Sequence, residues 1–374
     1  MKILLLGGTG AIGHSLFMLL AQDENVEVKI TTRQKINDDL KGSYIQGNAK
    51  NTDFVEEVLK KDKYDIVVDF MLYTTSEFQE RVEMLLQLSG HYVFLSSARV
   101  YAETKKLIDE ETERLLDISK DKELFEVGEY ALTKAAEEDI LRRSKHTNWT
   151  IIRPYKTYDN NRMQIGVFEK EQWAYRALHG KKIVLQREII DKHTSLTSSK
   201  DTAAVLRKIL FSDRKSCRVF QIANPKAVTW SEVLDIYSDV LEKKTGKKLD
   251  TKLISCEDNV IEELFSNKFR IKYDGIVDKH FSDKSIQELF EGKFEWTDPS
   301  IGLANCFLEF LDNNKKDFIP DYCVEGYFDR LTKESEKIRS IPKVKDKVNY
   351  FIFRYMPIRP YFFIKKIRLF IKRS

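Results

Sequence analysis

The first 154 residues alternate two kinds of pattern. Short, solidly apolar runs (KILLLG, VEVKITTR, YDIVVDFM, HYVFLSS, WTIIRP) read as strands. Between them lie stretches in which apolar residues recur every three or four positions, read as helices: AIGHSLFMLLAQ, NTDFVEEVLKKD, SEFQERVEMLLQLS and YALTKAAEEDILRRS. Strands that are apolar on both faces are covered on both faces, and strict strand–helix alternation builds βαβ units around a parallel sheet. The pattern therefore predicts an α/β chain with a Rossmann-like, doubly wound parallel sheet.

After Pro154 the rhythm breaks. Residues 155–200 are polar and irregular, with one helix expected around EKEQWAYRALHG. SSKDTAAVLRKILF reads as a capped helix, and RVFQIAN as a strand returning to the first sheet. TWSEVLDIYSDVLEKKTG opens with Thr229 and Glu232 at capping-box spacing. The predicted organisation is a dinucleotide-binding domain at 1–155, with 200–224 returning to it. A smaller, mostly helical substrate lobe takes 156–199 and 225–335, and a basic amphipathic tail takes 340–374.

Composition changes this picture little. A formal charge of +4 over 374 residues, with 33% charged and 42% hydrophobic, is ordinary for a soluble globular chain and gives no global nucleic-acid signal. Cys217, Cys256, Cys306 and Cys323 lack C-x-x-C spacing, which argues against a disulfide framework or a structural zinc site and fits a reducing compartment. The six histidines form no ligand-spaced set, so no metal is expected. With neither a signal peptide nor a run of eighteen apolar residues, the expected location is cytoplasmic.

Candidate chemistry begins at GGTGAIG, residues 7–13, which places Gly7, Gly10 and Gly13 between a strand and a helix. Such a loop turns sharply, lets backbone N–H groups approach a pyrophosphate and lets the helix pack closely on the strand, while the helix N-terminus supplies partial positive charge. Ala11 and Ile12 within the loop, and Met71 at the end of YDIVVDFM, join the expected cofactor contacts. At the end of the second strand, where a carboxylate would accept both ribose hydroxyls of NAD, the chain has Thr32 followed by Arg33. A guanidinium can pair with a 2′-phosphate, so NADP is favoured, with NAD as the alternative.

EYALTKAAEEDIL holds Tyr130 and Lys134 one helical turn apart. The same Y-x-x-x-K spacing recurs at Tyr101/Lys105 and Tyr361/Lys365. Only Tyr130 opens a helix between two sheet strands and follows a strand ending in FLSSARVY, which supplies Ser96 and Ser97 at the carboxyl edge of the sheet. Reduction of a carbonyl needs a proton donor to the oxygen and the reverse needs a base. A phenol is a poor base at neutral pH unless a nearby cation favours its phenolate. Lys134 is the expected cation, and Ser97 the expected holder of the substrate oxygen.

These pieces together (GGTGAIG, DIVVDF, VFLSSARVY, YALTK, IIRP, TWSEVL) resemble the extended short-chain dehydrogenase/reductases, the NAD-dependent epimerase/dehydratase group, over roughly residues 1–240. The wording is most similar to the subgroup holding sugar-nucleotide reductases and the chloroplast stem-loop-binding proteins. The resemblance implies Ser97, Tyr130 and Lys134 as catalytic residues, and Lys134 as a partner of the nicotinamide ribose. It also implies a nucleotide-activated sugar as substrate, bound between the sheet's carboxyl edge and the C-terminal lobe. Three departures qualify it. Ala98 and Arg99 stand where dehydratases carry an acid pair, which argues against water elimination. Asn48 stands where many relatives place an aspartate on adenine. RPYKTYDNN lacks the usual glycine–proline ending.

From Lys347 to Ser374 there is no acidic residue. On a helical wheel of 361–373, Phe363, Ile364, Ile367, Phe370 and Ile371 share one face and Lys365, Lys366, Arg368, Lys372 and Arg373 take the rest, a pattern suited to an anionic membrane surface. Docking on the chain's own lobe or in a homodimer competes with that reading. Peripheral attachment at the inner face of the cell membrane is the expectation, and with it cell-surface polysaccharide or glycolipid biosynthesis. No nucleic-acid partner is expected. The leading function is an NAD(P)-dependent reductase or epimerase of a nucleotide sugar; the alternative is a catalytically silent dinucleotide- or RNA-binding relative.

Overall fold

The computed structural model describes residues 1–36, 43–212, 217–265, 268–313 and 319–358. They fall into two compact units: Met1–Asp159 with Thr194–Ala227 and Lys279–Pro299, and Asn160–His193 with Val228–Asp278 and the chain from Ser300 on.

The first unit is built on a seven-stranded parallel sheet. Its strands are β1 (Lys2–Leu6), β2 (Glu27–Thr32), β3 (Tyr44–Gln46), β4 (Ile66–Asp69), β5 (Tyr92–Leu95), β6 (Trp149–Pro154) and β7 (Arg218–Ile222). They lie in the order β7-β6-β5-β4-β1-β2-β3. The apolar runs bury alternate residues on opposite faces. Ile3 and Leu5 pack with α1 (Ala11–Leu20) and the helix Ser199–Phe211. Leu4 and Leu6 pack with α2 (Thr52–Lys61), α3 (Thr75–Leu88) and α4 (Tyr130–Arg143). All four side chains are fully buried, each contributing roughly 1.5–3 kcal/mol of transfer free energy.

Two parts of this unit depart from the sequence reading. β3 carries only YIQ at the sheet edge, too short and too polar to stand out from the loop around it. Lys279–Pro299, placed in the lobe by the sequence reading, clusters with the sheet. Its Ile286 is fully buried in the β1/α1 core. Gln221 of β7 donates to the Ser282 carbonyl at 2.9 Å, and Asp201 accepts from both the amide and the hydroxyl of Thr297 at 2.9 and 2.8 Å.

In the second unit, Trp173 stacks on Tyr237 at 4.7 Å between ring centres. Beside that aromatic core lies a buried charge cluster. Arg176 reaches Glu325 at 2.8 Å, Asp329 at 3.0 Å and Glu334 at 2.6 Å, and Lys181 pairs with Glu325, Asp329 and Glu336 at 2.6–2.9 Å. The helix Trp230–Thr245 carries the capping box of Thr229 and Glu232. No described helix is long and apolar enough to cross a membrane.

Candidate dinucleotide and proton-transfer site

The glycine loop leaves β1 through Gly7, whose φ of +67° is open to glycine without strain. A Cβ at Gly7 would stand 2.3 Å from the Met71 sulfur, and one at Gly13 would stand 2.4 Å from the Gly8 carbonyl oxygen. Both positions therefore demand glycine, Gly7 for conformation and contact, Gly13 for the close approach of α1 to the loop. Gly10 is the N-cap of α1 and faces open space. No side chain caps this helix and no acid occupies its first turn, so its N-terminal dipole at Ala11, Ile12 and Gly13 is not offset locally. The Gly7 amide donates to the Thr31 hydroxyl at 2.8 Å, which ties the loop to the end of β2.

Beside the loop lies a cavity of about 350 Å³. Gly7, Thr32, Arg33, Asn48 and Met71, all expected from sequence, line it; Gly10, Ala11, Ile12 and Gly13 are not among its walls. Thr9, Thr31, Phe70, Leu72 and Lys50 also line it and were not anticipated. Lys50 follows Asn48 by two positions, so a search for a second cation near the cofactor loop would have found it. None of the described lining residues is acidic. Thr32 is buried and its hydroxyl accepts from the Gln34 amide at 3.2 Å, whereas Arg33 and Lys50 are exposed.

Directly before the lining residues Phe70, Met71 and Leu72, Asp69 ends β4, fully buried. It accepts from the Met71 amide at 2.9 Å, from Tyr73 at 3.0 Å and from Tyr92 at 2.8 Å. Burial pushes its carboxyl above the usual range, opposed by these donors and by the charge of Lys134. Asp69 thus fixes the segment carrying Met71. The Met71 carbonyl in turn accepts a long hydrogen bond, 3.5 Å, from the Lys134 ammonium.

Ser97 is buried at the end of β5 and caps the turn Ala98–Val100 by accepting from the Arg99 amide at 3.2 Å. That turn sets the Arg99 guanidinium 5.2 Å from the ring centre of Tyr130, where it also pairs with Glu129. Tyr130 is the first residue of α4, half-buried. Lys134 is buried one turn on, 4.5 Å from the Phe94 ring centre and 3.0 Å from Glu137. The neighbouring Ser96 serves another purpose: it donates to Glu138 at 2.5 Å, and Glu138 holds Arg153 through two bonds of 2.8 and 2.6 Å.

Comparison with known proteins identifies the domain. Residues 7–183 match the NAD(P)H-binding family. That match covers just under half of the chain and marks residues 7–183 as an NAD(P)H-binding domain. Over 245 residues it is 28% identical to a chloroplast stem-loop binding protein of 41 kDa from Arabidopsis thaliana, covering 61% of this chain and 60% of that one. It is 27% identical over 161 residues to a UDP-glucose 4-epimerase of Lactobacillus helveticus, covering 38% and 46%. The chain thus spans less than two thirds of the length of either relative. In fold it is similar to UDP-glucuronic acid 4-epimerase from Bacillus cereus, solved with UDP-glucuronic acid and NAD (TM-score 0.60, 17% identity, 83% of this chain and 99% of that one). A glycine loop closed to a Cβ at Gly7 and Gly13, a helix N-terminus without a side-chain cap and a cavity lined by no acid all fit a nicotinamide dinucleotide.

Proposed function

We propose that this protein is an NAD(P)-dependent reductase or epimerase of a nucleotide-activated sugar. The observation that carries the reading is the hydrogen bond from Lys134 to the Met71 carbonyl, because it joins the Tyr130 helix to the wall of the dinucleotide cavity. The glycine loop and the start of α1 would hold the pyrophosphate, and Met71 and Lys134 the nicotinamide end. The bound nicotinamide supplies the hydride acceptor or donor. The protein's part is protonic: Tyr130 gives a proton to the substrate oxygen on reduction and takes one on oxidation, Ser97 orients that oxygen, and the Lys134 ammonium favours the phenolate. Ala98 and Arg99 offer no acid for water elimination.

Arg33 and Lys50 on a cavity lined by no acid support NADP over NAD. The matched relative named as a UDP-glucose 4-epimerase, and the solved fold neighbour that binds UDP-glucuronic acid, support a nucleotide sugar. Peripheral membrane attachment, and through it a role in cell-surface polysaccharide or glycolipid synthesis, has its support in the helix Val344–Tyr355. There Val344, Val348, Phe351 and Tyr355 form one outward stripe, 48–76% exposed. Lys345 and Lys347 flank it. The basic segment 361–373 lies outside the described residues.

Thermal-shift titration with NADP, NADPH, NAD and NADH tests the cofactor reading, and a shift with none of the four overturns it. In a screen of nucleotide sugars, Tyr130→Phe should abolish turnover and leave dinucleotide affinity nearly unchanged. An active variant would refute the proton-transfer role.

A further inference from the structure

Glu137 lies three residues beyond Lys134 on α4, and both side chains are removed from solvent. Its carboxylate stands 3.0 Å from the Lys134 ammonium. Within the described residues the Lys134 ammonium is the one donor and the one cation in contact with its oxygens. A buried carboxylate so poorly provided with donors is expensive unless its ionisation does something. What it does follows from position. The ammonium that Tyr130 needs is half of a nearly neutral pair.

We propose that Glu137 is a positioning residue that holds Lys134 and offsets its charge, so that proton transfer at Tyr130 is linked to the ionisation of Glu137. The inference rests on the reading of Tyr130 and Lys134 as the proton-transfer pair. With Glu137 ionised, the pair's field at Tyr130 is weak and the phenol is favoured. With Glu137 protonated, Lys134 acts as a full positive charge and the phenolate is favoured. The groups facing Glu137 are Lys134 on its own helix, Asp69 from β4, Glu77 from α3 and Tyr92 from β5. Three of these neighbours are acidic or weakly acidic, and Lys134 alone opposes them. Burial, reinforced by Asp69 and Glu77 against Lys134, pushes the Glu137 carboxyl up to about 7. The exchange therefore falls at physiological pH.

The test is a pH titration of protein carrying ¹³Cζ-labelled tyrosine, followed by NMR, with Tyr130→Phe to assign the resonance. In Glu137→Gln the Tyr130 midpoint should move to lower pH by about one unit, the scale expected when a neighbouring charge is removed. Glu137→Asp keeps the carboxylate but shortens its reach, and should give a smaller shift in the same direction, which keeps the test open if the amide variant does not fold. A Tyr130 midpoint unchanged in a folded variant overturns the proposal. Fluorescence titration of the wild-type protein with NADP and NADPH separates the two ideas. Absence of dinucleotide binding would sink the functional reading, while the tyrosine shift would still report the charge link.

Discussion

Glu137 and Glu138 are consecutive residues of one helix, equally withdrawn from water, and they live in opposite circumstances. Glu138 receives Arg153 through both oxygens at 2.8 and 2.6 Å, Ser96 at 2.5 Å and Arg114 at 3.3 Å. Glu137 has the Lys134 ammonium alone among the described residues, at 3.0 Å. A saturated buried charge joins α4 to β5 and β6 and resists change. An undersaturated one keeps its ionisation free to respond. The difference separates scaffold from site within two adjacent positions.

The largest effect should come from breaking the saturated side. Glu138→Gln leaves the buried Arg153 guanidinium without its counter-charge and should cost about 3–5 kcal/mol in urea unfolding. A loss below about 1 kcal/mol would show that Glu138 is no better anchored than its neighbour.

Glu137→Gln should cost less, and near pH 8, where the fold disfavours the ionised carboxyl even beside Lys134, the neutral amide should be no less stable than wild type. Its pH dependence is the sharper reading. The folded carboxyl sits near 7, above its ordinary value of 4.5. Between those values the folded chain binds a proton that the unfolded chain has released. Stability from this group is therefore full below about pH 4.5 and falls as pH rises towards 7, by at most about 1.4 kcal/mol per pH unit. Unfolding series of wild type and Glu137→Gln, subtracted, should show that slope; a flat difference would place Glu137 with Glu138.

Much of this contrast was hidden from the sequence, for identifiable reasons. Six of the seven strands of the first sheet were legible as solidly apolar runs, and GGTGAIG because its spacing answers a geometric demand that the clashes at Gly7 and Gly13 make concrete. Tyr130 and Lys134 were legible by context, since two other Y-x-x-x-K pairs exist in the chain. EE at 137–138, by contrast, looks like two solvated charges on a helix, and only the tertiary packing makes both buried and tells them apart. The same holds for Arg176 and Lys181, whose carboxylate partners lie roughly 150 residues away. Lys50 was missed because its place on the cavity depends on β3, a three-residue edge strand without a periodic signal.

A third change refines the saturated side without breaking it. Ser96→Ala removes one of four donors to Glu138 and leaves the bidentate Arg153 in place. The loss should be about 1 kcal/mol. A loss as large as that of Glu138→Gln would mean that the serine, not the guanidinium, anchors the carboxylate.

The smallest effect on stability, and the most selective on binding, belongs to charges with no buried partner to lose. Arg33 and Lys50 are exposed at the cavity, and among the described residues Lys50 pairs with Glu77 at 3.9 Å, a solvent-facing pair of little worth. Arg33→Ala and Lys50→Ala should each leave unfolding free energy within about 0.5 kcal/mol of wild type. Yet each should weaken NADP more than NAD, by about tenfold if a charge-assisted contact to the 2′-phosphate worth about 1.4 kcal/mol is lost. Paired titrations with the two dinucleotides read this directly, because their shared pyrophosphate and nicotinamide contacts cancel in the ratio. Equal weakening of both would move Arg33 and Lys50 from selecting the phosphate to general attraction of an anion. An unchanged ratio in both variants would leave the glycine loop as the cofactor's anchor and NAD as readily held as NADP.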